Sequence, residues 1–62
     1  MLEYQKMILQ KVSFDQQLFE KELKKSTKDL IREDLIELKT WCYEHFGHKF
    51  QHVLKKCFRN MN

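Results

Sequence analysis

Apolar side chains fall at helical spacing in four successive stretches of the chain. In residues 2 to about 11, Tyr4, Ile8 and Val12 repeat every four positions, with Met1 and Met7 beside them. Leu2 and Leu9 widen that face, and the pattern predicts a short first helix. Ser13-Phe14-Asp15-Gln16 then matches a capping box, in which the Ser13 hydroxyl takes an orphan amide and Gln16 reaches back. A second helix is expected from Phe14. Its apolar residues Phe14, Leu18, Phe19, Leu23 and Leu30 spread over a broad arc shared with Asp15, Glu22 and Ser26.

The third helix has the clearest stripe. Ile31, Leu35, Leu38, Trp41, Cys42, His45 and Phe46 share one face, and Gly47 stands where a left-handed C-terminal cap belongs. A fourth helix is expected from about Lys49 to Arg59, with Phe50, Val53, Leu54, Cys57, Phe58 and Met61 on one side. Phase separates these elements. At ~100° per residue, the apolar face after Gly47 is rotated about 110° from the face before it. Between the second and third helices the rotation is roughly 170°, so a break is required within residues 26–33.

Composition narrows the fold class. One glycine and no proline remove the turns that hairpins and sheets need. The expectation is an all-α fold: one domain over residues 1–62, a small bundle of four helices, the first short, with short connections. Its expected core is Leu18, Phe19, Leu23, Leu35, Leu38, Trp41, Cys42, Phe46, Val53, Leu54 and Phe58. Helices three and four are expected to form a hairpin or corner about Gly47.

Length sets what such a bundle can do. A chain of 62 residues buries only ~60% of the surface that its unfolded form exposes. One core of this size supplies roughly 3–5 kcal/mol, which makes dimerisation or a partner attractive. A substrate pocket with lid and cofactor cradle has almost no room, so no small-molecule substrate is expected. The longest apolar run is Met7-Ile8-Leu9, far short of a membrane span, and Glu3, Lys6 and Lys11 interrupt any signal-like core. A cytoplasmic protein with Cys42 and Cys57 reduced is expected.

The stretch Leu18-Phe19-Glu20-Lys21-Glu22-Leu23, followed by Glu37-Leu38-Lys39-Thr40-Trp41-Cys42-Tyr43-Glu44, resembles a group of short, uncharacterised helical proteins from bacteria. The resemblance covers most of residues 1–47 and consists of helix-packing positions. It implies a small bacterial helical protein and transfers no functional residue.

Charge singles out the last helix. Residues 1–47 hold eight basic and nine acidic side chains, whereas residues 48–62 hold Lys49, Lys55, Lys56 and Arg59 with no acid. Lys49, His52, Lys56 and Arg59 stand at i, i+3, i+7 and i+10, one line down a helix and away from Val53, Leu54 and Cys57. Such a line fits the phosphates of a nucleic acid, and equally a solvated face favoured by the helix dipole.

Metal and catalytic chemistry have thinner support. Cys42 with His45, and His48 with His52, have chelating spacing. The full pattern Cys-x2-His-x2-His-x3-His-x4-Cys, ending at Cys57, fits no zinc-finger arrangement. No metal or cofactor is expected. Cys42 and His45 lie one turn apart like a nucleophile and base, but both are expected to point inward, and no glycine-rich loop offers an oxyanion site. Asp29, Glu33, Asp34 and Glu37 complement the positive end of the third helix. An enzyme is not expected.

Surplus apolar surface is the remaining feature. Ile36 and Tyr43 lie seven residues apart on the flank of the third helix, roughly 120–140° from Ile31. Leu2 and Leu9 make a second edge of the same spacing on the first helix. Two such edges point to a protein partner or a homo-oligomer, against the alternative that a bundle wraps each helix with two neighbours. A non-enzymatic interaction module is therefore the first expectation and nucleic-acid binding by the last helix the second.

Overall fold

The computed structural model describes residues 2–59. Among the described residues there are four helices and no strand: α1 (Leu2–Lys11), α2 (Gln16–Asp29), α3 (Arg32–Phe46) and α4 (Gln51–Cys57). Met1 and Met61, expected on the apolar faces of the first and last helices, lie outside the described residues. α1 lies against α2 and α3, and α4 also lies against α2 and α3. The four helices therefore form a ring in which α2 and α3 sit across the diagonal.

The start of α2 corrects the capping box. Asp15 is the N-cap, with extended backbone (φ −133°, ψ 111°), and its Oδ1 accepts from the Gln17 and Leu18 amides at 2.9 and 3.3 Å. Ser13 instead donates its hydroxyl back to the Gln10 carbonyl at 2.8 Å, at the end of α1. A carboxylate is the stronger acceptor for orphan amides, and this shift leaves Phe14 in the turn, 77% exposed.

The break between α2 and α3 falls at Leu30 and Ile31, inside the expected window. Both are extended (ψ 148° and 162°), and the Leu30 amide closes α2 on the Ser26 carbonyl at 3.0 Å. Ile31 becomes the N-cap of α3 and lies exposed rather than on the packed stripe. Glu33 and Asp34 fill the first turn of α3, where their charge suits the helix dipole.

Gly47 is not a left-handed cap. It is right-handed helical (φ −56°, ψ −36°), and the winding continues until the Phe50 amide reaches the Phe46 carbonyl at 2.8 Å. Glycine is needed there for space: a Cβ would collide with the Tyr43 carbonyl oxygen. The continued turn absorbs Lys49, so α4 begins at Gln51 and is shorter than expected.

The core is Leu9, Phe19, Leu23, Leu38, Cys42, Phe50, Val53, Leu54 and Phe58, with Leu35 at its edge. Phe19 is its centre, stacked on Phe50 at 4.2 Å and edge-on to Phe46 at 5.0 Å between ring centroids. Trp41 and Phe46, expected in the core, pack against it half-buried. Leu18 was expected in the core and is exposed. The buried face of α2 carries Phe19, Leu23 and Ser26, and Leu18 lies about 110° around from it.

α1 also presents a different face from the expected one. Leu9 is fully buried, and Leu2 and Val12 pack against the core, while Tyr4 and Met7 are exposed. A polar residue, Gln5, completes the inward face by meeting the fully buried Ser26, whose hydroxyl donates to Gln5 Oε1 at 2.7 Å. The partner edge expected at Leu2 and Leu9 is thus part of the packing between helices.

Candidate functional site

α3 has one face in the core and the opposite face bare. Leu35, Leu38 and Cys42 point inward, and Trp41 and Phe46 pack beside them. On the outer side Ile36 is 49% exposed, and with Lys39, Thr40, Tyr43 and Glu44 it lines a shallow open groove. The Thr40 hydroxyl donates back to the Ile36 carbonyl at 3.2 Å, so its polar group is satisfied within the helix. Of the four expected partner residues, the structure brings Ile36 and Tyr43 together here and places Leu2 and Leu9 elsewhere. Lys39, Thr40 and Glu44 complete the groove; the sequence reading missed them, although their spacing of three, four and eight residues from Ile36 puts them on the same side of the helix.

Salt links join α1 to α3 and α2 to α4. Lys6 of α1, its side chain 15% exposed, reaches Glu3 at 3.3 Å and Glu37 of α3 at 3.5 Å, with Nζ 5.8 Å from the Trp41 ring centre. Burial pulls the Lys6 pKa down, but hydrogen bonds and charge from Glu3 and Glu37 outweigh it and the net shift is upward. On the other side Glu20 of α2 accepts from Lys56 of α4 at 2.9 Å and from Lys24 at 3.1 Å. Those two lysines, Lys56 first, hold its carboxyl below the usual range.

The basic line of the last helix is altered by this geometry. Lys49 precedes α4, with Nζ 5.2 Å from the Phe50 ring centre, and Lys56 is engaged by Glu20. His52 and Arg59 are exposed. The four residues therefore do not form one helical line of unengaged cations.

Cys42 and His45 part company. Cys42 is fully buried, and burial, with Cys57 nearby, pushes its thiol up to about 12. Burial raises the half-buried Cys57 as well. His45, expected to point inward, is exposed: its ring stacks on Trp41 at 4.7 Å. Its Nδ1 donates to the Trp41 carbonyl at 3.0 Å, since that oxygen only accepts. A thiol this hard to ionise is a packing group rather than a nucleophile. Among the described residues no three His, Cys, Asp or Glu side chains converge to hold a metal ion, and no helix is long and apolar enough to cross a membrane.

Comparison with family models, with curated proteins and with solved structures found no match for this chain.

Proposed function

We propose that this chain is a non-enzymatic interaction module that binds another protein, or itself, through the outer face of α3. The observation that supports this reading is the half-exposed Ile36 beside Tyr43, on a helix whose other face is fixed in the core. Because Ile36 is already about half covered, a partner that buries the rest of it contributes roughly 1 kcal/mol, about half the value for a fully exposed side chain. The module acts in the cytoplasm, where both thiols stay reduced.

Replacing Ile36 by Glu tests the face, because this side chain is exposed and its loss leaves the core intact. The variant is expected to keep the helical circular dichroism of the parent while losing its associated species in sedimentation or light scattering. An associated parent whose mass distribution Ile36→Glu leaves unchanged would overturn the reading. The Tyr43→Glu variant is the harsher companion, since Tyr43 also packs against the core.

A second reading, nucleic-acid binding through Lys49, His52, Lys56 and Arg59, is supported by the absence of acid in residues 48–62. The Glu20–Lys56 pair weakens it. Anisotropy of labelled duplex DNA and single-stranded RNA separates the two: phosphate binding falls steeply with salt, whereas apolar docking persists.

A further inference from the structure

We propose that two copies of this chain pair side by side and parallel through the outer faces of their α3 helices. Arg32 and Lys39 of each copy then face Glu37 and Glu44 of the other. The proposal rests on the interaction reading above and names its partner.

The outer face of α3 repeats every seven residues. Arg32 and Lys39 are basic, Ile36 and Tyr43 apolar, and Glu37 and Glu44 acidic. At ~100° per residue, Ile36, Thr40 and Tyr43 lie within about 60° of one another, with the two cations on one flank and the two acids on the other. Ile36, Lys39, Thr40 and Tyr43 stand at i, i+3, i+4 and i+7 around the groove. Four residues so placed are the hole into which a facing helix inserts a side chain.

Charge identifies the occupant and its direction. Two helices related by symmetry and running parallel lay the basic flank of one on the acidic flank of the other, with each residue facing the one five positions further on. That register joins Arg32 to Glu37 and Lys39 to Glu44, each twice over. An antiparallel pair would set basic against basic and acidic against acidic. A surface whose two flanks complement each other in parallel fits a second copy of itself. Glu37 remains 62% exposed although Lys6 lies 3.5 Å away, so it is open to a second cation. The hydroxyl of Thr40, bonded back to the Ile36 carbonyl, brings no unsatisfied donor into the seam.

The seam covers about two heptads, so the pairing is weak and concentration-dependent. Sedimentation equilibrium over roughly 1 µM to 1 mM, at low salt, reads it directly. The full-length chain is expected to approach twice its monomer mass. Lys39→Glu and Glu44→Lys are each expected to weaken the dimer about tenfold, because attractive pairs become repulsive at two symmetric sites. Combining both changes in one chain is expected to restore the parent affinity, and mixing the two single variants likewise. Each variant must retain the parent helical signal; Glu44 is exposed, so that variant stands if Lys39→Glu fails to fold.

A parent chain that stays monomeric throughout overturns the self-pairing. A dimer indifferent to the single charge changes, or a doubly exchanged chain no tighter than either single, overturns the parallel register. Ile36→Glu in the same series separates the register from the face: a dimer that Ile36→Glu abolishes but the charge changes leave intact uses the face in another orientation, whereas a dimer that Ile36→Glu leaves intact overturns the interaction face itself.

Discussion

The buried Ser26 hydroxyl on α2 donates to Gln5 Oε1 on α1 across 2.7 Å, and it also lies 3.0 Å from the Glu22 carbonyl. This contact places a polar pair inside a face that is otherwise apolar. A small residue is needed at Ser26 because the side chain is fully enclosed. Ser26→Ala is expected to destabilise the fold by about 1 kcal/mol, the usual net value of one hydrogen bond. Ser26→Leu is expected to cost about 1–3 kcal/mol through overpacking. Urea denaturation monitored by Trp41 fluorescence distinguishes the two, and equal effects would contradict the packing account.

Asp15 and Ser13 make opposite predictions about where α2 begins. Asp15→Ala is expected to cost about 1 kcal/mol, since two amides lose their acceptor. Ser13→Ala is expected to stay within about 0.5 kcal/mol, because its hydroxyl serves only an exposed turn. Thermal melts of the two variants should rank in that order.

Glu20 gives the fold an acid limb. Its carboxyl titrates below the ordinary value in the folded chain, with Lys56 the first cause and Lys24 the second. The folded state therefore binds the proton less readily than the unfolded one, and stability from this group is full above the ordinary carboxylate range. It is lost as pH falls through the lowered value. A Glu20→Gln variant should show a shallower loss of stability on acidification than the parent. Parallel profiles would remove Glu20 from the account.

The two thiols should differ in reactivity. Cys42 is enclosed and its pKa is pushed up to about 12, so at neutral pH a maleimide should modify Cys57 first and Cys42 only on unfolding. Mass spectrometry of digested, partly labelled protein checks the order.

The four helices and the window for the α2–α3 break were legible because the apolar phase jumps there, and the link itself, Leu30 and Ile31, needs no special residue type. The inward face of α1 was not legible. Tyr4, Ile8 and Val12 form a regular apolar line, whereas the inward face runs through Leu2, Gln5, Leu9 and Val12 and has a polar residue, Gln5, meeting Ser26 within it. Gly47 was correctly marked as a necessary glycine for the wrong reason, since backbone handedness and the closeness of the Tyr43 carbonyl leave the same trace in a sequence. Ile36 and Tyr43 stood out as surplus on a helix already holding a full stripe. By the same rule Leu9 looked surplus on a helix whose true stripe was hidden. The Glu20–Lys56 pair depends on how α4 lies against α2, which no local pattern encodes.

The ring of helices has a consequence for how the chain comes apart. α1 with α2, and α3 with α4, are neighbours in sequence, and among the described residues the two pairs hold each other mainly through α1 against α3 and α2 against α4. Helices of seven to fifteen residues are marginal when isolated, and the aromatic centre draws Phe19 from one pair and Phe46 and Phe50 from the other. Neither half retains a core after they separate. The molecule therefore has no smaller unit of folding than itself: opening at either seam is the same event as global unfolding, and local fraying is confined to the outer turns.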